Sequence, residues 1–157
     1  FKRTRHLADE AFDRLTEDVG GQNNAFTTED ATVYLNGVPA NHVERLLWAE
    51  AERMAQLQVS EAQFRSERAV VESEFRQKVL VDPYGRLFHG MAPVFWLVHP
   101  YRHPVIGRVA DLNAASLDDV RRFHATYYRP DNATLISSPG MSILHGSMRG
   151  WTGISDH

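Results

Sequence analysis

The stretch Gly20-Gly21-Gln22-Asn23-Asn24-Ala25-Phe26-Thr27-Thr28-Glu29-Asp30-Ala31-Thr32-Val33-Tyr34-Leu35 decides the fold. Its paired glycines offer a helix stop, and two short runs rich in Thr, Val and aromatic residues follow, with the turn residues Thr28, Glu29 and Asp30 between them. The expected product is a β-hairpin, Gln22 to Thr27 against Ala31 to Leu35. Upstream, Leu7, Ala8, Ala11, Phe12, Leu15 and Val19 recur with helical spacing, so a helix is expected from Arg5 to Val19. Downstream of Gly37-Val38-Pro39, the residues Val43, Leu46, Leu47, Ala51, Met54 and Leu57 make the apolar face of a second helix that should pack on the sheet. Helix, hairpin and helix in this order predict an α+β fold, a sheet covered by helices on one side, rather than a βαβ repeat.

Further along, Ser60 and Gln63 have capping-box spacing and open a long charged helix, Glu61 to about Leu80, that Asp82-Pro83-Tyr84-Gly85 should end. Arg86 to Met91 suits a short helix, and Pro93, Pro100 and Pro104 predict a mostly irregular segment after it. Ser116 with Asp119 caps a helix carrying Leu117, Val120, Phe123 and Tyr127, and Asn132 to Ile136 reads as a returning strand. From Ser138 to His157 the periodicity is lost, with four Gly and four Ser in the segment, and a poorly ordered tail is expected.

The chain has 157 residues, 43% apolar and 24% charged, which fits a single globular domain. A net charge of −3 lacks the basic excess that nucleic acid or an anionic membrane surface would favour. The longest apolar stretch, Ala92 to Val98, is broken by Pro93 and far too short to span a bilayer. With no cysteine, disulfides, thiolate metal sites and a Cys nucleophile are excluded while the compartment stays open.

The candidate chemistry sits in Ser66-Glu67-Arg68-Ala69-Val70-Val71-Glu72-Ser73-Glu74-Phe75. Glu67 and Glu74 are nearly two helical turns apart, so both carboxylates share one face, to within about 20° on an ideal helix. Val71 and Phe75 lie close to that face, and a carboxylate pair bordering an apolar stripe suits metal ligation or acid–base work. The plain alternative is a solvated helix with ordinary Glu74–Lys78 and Glu72–Arg76 pairs. His99 and His103 bracket Pro100 and read as loop residues rather than helical metal ligands. No G-x-S-x-G elbow and no phosphate-binding glycine loop is present.

Taken in order, Gly20 to Thr27 with Asp30, Thr32 and Tyr34, then Glu67 to Glu74, then His99 to Gly107 (HPYRHPVIG) and Tyr127 to Leu135 (YYRPDNATL) resemble the catalytic N-terminal domain of the pitrilysin/insulinase zinc metallopeptidases, the inverzincins. The likeness covers about Phe1 to Ile136. In that family an H-x-x-E-H helix and a distal glutamate hold zinc, and the open position activates water for attack on a peptide carbonyl. The resemblance implies that Glu74 is the distal zinc ligand and Glu67 a supporting carboxylate beside it. It also implies that Asn24, Ala25, Phe26 and Thr27 form an edge strand on which an extended peptide substrate adds.

H-x-x-E-H is absent from the chain, which opens Phe1-Lys2-Arg3-Thr4. The resemblance places that motif, with the first strand and zinc-binding helix, just before Phe1, so truncation is the expected reason. The expectations are therefore a partial peptidase domain over residues 1–136, an atypical tail over 137–157, and an isolated chain that is inactive and binds no stoichiometric zinc. The partners implied are a peptide substrate, the missing N-terminal segment, and a homologous second half-domain or partner subunit. Export, to the periplasm in bacteria, is the localisation expected. The alternative function is that of a non-catalytic structural or peptide-binding subunit of the same family, against which the presence of both Glu67 and Glu74 argues.

Overall fold

Helix α1 (Ala11–Glu17) is followed by Gly20 at φ 76°, a left-handed turn that glycine adopts without strain, and the chain then enters strand β1 (Gln22–Thr27). The computed structural model describes residues 3–138 and 141–147. β1 pairs antiparallel with β2 (Ala31–Gly37), Phe26 opposite Val33 and Ala25 opposite Tyr34, so the hairpin forms where expected, with β2 continuing through Gly37. The four-stranded sheet has the order β1-β2-β4-β3, with β3 spanning Ala133–Ser138 and β4 Met141–Ser147, and every pairing is antiparallel.

Strand β4 corrects the reading of everything after Ser138 as an irregular tail. Its backbone lies between β2 and β3, Leu144 opposite Tyr34 on one side and Leu135 on the other. A segment with weak local periodicity becomes a strand when its backbone is satisfied on both sides, here by β3 just before it and by β2 far away in sequence, and the β2 contribution is one that no local pattern reports. The rest of the expected tail, residues 148–157, lies outside the described residues.

The chain divides into two compact units. The first contains the sheet, α1, helix α2 (Val43–Gln56) and most of helix α6 (Leu117–Tyr127). Its core is Phe12, Leu15, Leu46 and Ala49, with Leu7 and Val38 packed against it. Two expectations are corrected here. The first helix starts at Ala11, not Arg5, because Thr4 Oγ1 accepts the N–H groups of His6 and Leu7 at 3.3 and 3.0 Å and turns the chain before a helix can begin. The buried face of α2 runs through Leu46, Ala49, Glu50 and Arg53, whereas Leu47 and Ala51 are exposed.

The second unit spans Ser60–Val120 among the described residues. Helix α3 (Glu61–Phe75) has the expected capping box, Gln63 N–H donating to Ser60 Oγ at 3.2 Å and Ser60 N–H to Gln63 Oε1 at 2.9 Å. The α-helix does not continue to Leu80 as such, because Arg76–Val81 forms a π turn, closed by Asp82 N–H on the Gln77 carbonyl at 3.2 Å. Helix α4 (Gly85–Phe95) outruns the expected short helix, since Pro93 falls in its last turn and there removes only one ladder bond. Pro100 opens a 3₁₀ turn, and Val109–Ala114 forms a short helix, α5. Ser116 caps α6 as expected, Asp119 N–H donating to its Oγ at 3.2 Å while Asp119 Oδ2 accepts Ser116 N–H at 2.9 Å.

Candidate functional site

In the second unit, Glu67 and Glu74 both lie within the regular α-helical part of α3 and are partly buried, so their shared face survives in the fold. The π turn begins just beyond Glu74. Glu74 Oε1 accepts a hydrogen bond from Lys78 Nζ at 2.5 Å, and its side chain keeps 44% of its exposure. An ion pair this exposed contributes little to stability, so the carboxylate remains available to a stronger partner.

Zinc needs three protein donors in a catalytic site. Among the described residues no group of three His, Cys, Asp or Glu side chains converges to hold a metal ion. Glu74 offers one oxygen donor of the type required, but the described residues do not complete the donor set. His99 and His103 are loop residues, as their bracketing prolines suggested: His99 Nδ1 accepts the Tyr101 N–H at 3.2 Å and its ring lies edge-on to Tyr101 at 4.4 Å. His89 packs edge-on against Phe75 at 5.2 Å, and its Nε2 lies 3.0 Å from the Gly107 carbonyl, tying the HPYRHPVIG segment to α4.

In the first unit, Asn24, Ala25, Phe26 and Thr27 lie on β1, at one edge of the described sheet. Thr28 N–H donates to the Ala31 carbonyl at 2.8 Å and fixes the phase of the ladder. In an antiparallel pair, hydrogen-bonded and non-bonded positions alternate, so Asn24 and Phe26 exchange bonds with β2 while Asn23, Ala25 and Thr27 turn their backbone groups to the outer edge. The Thr27 and Thr32 hydroxyls lie 3.3 Å apart, as expected of a non-bonded pair. Two asparagines flank that edge differently. Asn23 Nδ2 donates to Asp13 Oδ1 at 3.0 Å and to the buried Thr16 Oγ1 at 2.8 Å, fastening β1 to α1. Asn24 Oδ1 accepts the outward Ala25 N–H at 2.8 Å.

Sequence reasoning missed the polar cluster behind the neighbouring strand, β2. Glu50 is buried on α2 and accepts from Asn36 Nδ2 at 2.7 Å and from Arg53 Nε at 3.0 Å, with a second bond from Arg53 Nη2. The Arg53 guanidinium lies 3.6 Å over the ring of Tyr34, whose hydroxyl meets that of Tyr128 at 3.0 Å. Burial, with Tyr128 adjoining, pushes the Tyr34 hydroxyl well above the usual tyrosine range. His124 stacks on Tyr128 at 4.9 Å, and burial holds its imidazole below the usual value, the Arg53 charge adding to this against a backbone hydrogen bond. The available signal was spacing: Glu50 and Arg53 continue the helical stripe of Leu46 and Ala49. A second tie joins Thr4 and His6 to Glu52, at 3.1 and 2.9 Å; burial would raise that carboxyl, yet its hydrogen bonds from His6 and Thr4 hold it below the usual range.

Comparison with known proteins agrees with the resemblance. The chain is 33% identical over 136 residues to the zinc protease PqqE of Helicobacter pylori, covering 87% of this chain and 31% of that protein. It is 28% identical to the uncharacterized zinc protease YmxG of Bacillus subtilis, over 85% of this chain and 31% of the relative. It is 25% identical to a probable mitochondrial-processing peptidase subunit beta of Schizosaccharomyces pombe, over 92% of this chain and 31% of the relative. The chain thus spans about a third of the length of the curated relatives it matches. The crystal structure of a protease from Helicobacter pylori superposes with a TM-score of 0.79 at 32% identity, covering 84% of this chain and 32% of that one, in keeping with the α+β fold. The family model for insulinase, peptidase family M16, matches residues 1–83, and the chain belongs to that family.

Proposed function

We propose that this chain is part of a zinc-dependent metalloendopeptidase that takes extended peptides as an added strand on β1. The observation that carries the reading is an uncharged edge strand, Gln22-Asn23-Asn24-Ala25-Phe26-Thr27, in a chain of the insulinase family. Sheets that do not recruit strands protect their edges with charge, proline or cover, and β1 has neither charge nor proline. Binding through backbone groups tolerates many side chains, which suits a peptidase acting on varied peptides.

In this reading Glu74 is one zinc ligand and Glu67 a positioning carboxylate one face-repeat earlier. The zinc donors that the described residues do not supply, and the general base, come from residues outside this sequence, so the chain alone is inactive. The tests are direct. In the whole protein, Glu74→Gln should abolish peptide cleavage and lower zinc content by atomic absorption; unchanged turnover would remove Glu74 from the site. For the chain by itself, tightly bound zinc at one per chain would overturn the claim that its donor set is incomplete.

A further inference from the structure

We infer that Asn24 is a displaceable guard on the outer edge of β1: its carboxamide occupies the Ala25 N–H until an added strand replaces it. This rests on the proposal that a peptide adds to β1, and it assigns Asn24 a part that edge recognition alone does not imply. Ala25 stands at the centre of the outward-facing positions, between Asn23 and Thr27. Its N–H is the middle donor that an incoming strand would engage, and in the free chain that donor is already bonded to Asn24 Oδ1 at 2.8 Å.

An added strand presents its own carbonyl to the Ala25 N–H, and one donor cannot bond both acceptors well. Asn24 is exposed, so its displaced carboxamide passes into water at the cost of one intramolecular hydrogen bond. The strand itself need not move. Asn23, on the other face, keeps β1 fastened to Asp13 and Thr16, so the edge is pre-formed and only the guard swings. The same contact serves the free protein, because an uncharged edge with Phe26 half-exposed would otherwise template the pairing of a second copy.

The experiment uses the full chain, with amide hydrogen exchange and NMR titration by a soluble capped Thr-Val-Thr-Val-Thr peptide. Asn24→Ala should speed exchange at Ala25 while leaving Thr27 unchanged, and should tighten the peptide Kd about fivefold, the equivalent of one net hydrogen bond. Asn24→Asp keeps the acceptor and adds charge, so it should keep Ala25 protected and weaken the peptide. Equal Ala25 exchange in all three proteins, or weaker peptide binding by Asn24→Ala, overturns the guard while leaving strand addition standing. If the peptide protects neither Ala25 nor Thr27 in any of them, strand addition on β1 fails and the guard's role falls with it. Concentration-dependent protection of both amides in Asn24→Ala without peptide would make the occupant a second copy of this chain and overturn the peptide assignment.

Discussion

Replacing Arg53 by Met tests the polar cluster under the sheet, because it removes the guanidinium while keeping a long apolar stem in its place. The side chains of Arg53 and Glu50 retain only 8% and 4% of their exposure, so loss of the cation leaves a carboxylate out of water with Asn36 Nδ2 still donating to it at 2.7 Å. Breaking one side of a buried pair typically costs about 3–5 kcal/mol. The lost stacking on Tyr34, at 3.6 Å, belongs within that range or adds about 1–2 kcal/mol. Set against a typical domain stability of about 5–15 kcal/mol, Arg53→Met should weaken the first unit severely. Glu50→Gln combined with Arg53→Met leaves no stranded charge and keeps an acceptor for Asn36, so most of the loss should return. The assay is urea unfolding with amide exchange followed in β2 and α2, for both single variants and the pair. A cost under about 1 kcal/mol for Arg53→Met, or a double variant whose loss equals the sum of the singles, would refute the argument that the pair is coupled and desolvated.

Lowering the pH should destabilise the first unit through His124. Its imidazole sits below its ordinary value of 6.5 when folded, so the unfolded chain binds the proton more readily; the contribution is full above about pH 6.5 and is lost as pH falls through that value toward the folded one. Nε2 is buried with no hydrogen-bond partner among the described residues, so a proton there finds no acceptor, and His124→Gln should flatten the urea midpoint between pH 7 and 5. Ser60→Ala should cost about 1 kcal/mol by removing the α3 cap, read as fraying of the amides of its first turn. Gly85→Ala should be far more damaging than its size suggests. An added Cβ would meet Val79 Cα and the Val79 carbonyl at 2.8 Å and the Lys78 carbonyl closer still, all backbone atoms that cannot turn aside. The loss expected is about 1–3 kcal/mol, and a wild-type melting midpoint would contradict it.

Residues whose partners lie within a turn or two were legible. The Gly20-Gly21 stop, the β1–β2 hairpin, the Ser60–Gln63 capping box and the Ser116–Asp119 cap all depend on local spacing and on which side chains reach nearby backbone groups. The shared face of Glu67 and Glu74 was legible for the same reason, since helix geometry alone fixes it. Misreadings fell where a distant partner decides. Thr4 turned the chain away from helix while its hydroxyl reached Glu52, and β4 became a strand by entering between its neighbour β3 and the distant β2. The buried face of α2 shifted toward Glu50 and Arg53 because Asn36 and Tyr34 give those charged groups partners, which hydrophobic spacing cannot foresee.

By itself, then, the sequence determined the α+β class, the family and the β1–β2 hairpin, because these rest on short-range pattern and ordered motifs. Only the tertiary structure decided which backbone groups of β1 face outward, that Asn23 fastens the strand while Asn24 covers its middle donor, and that a buried ion pair lies against Asn36 and Tyr34 of β2. Hydrogen bonds are directional and span the fold, so their partners are settled only when residues far apart in the chain come within about 3 Å of one another.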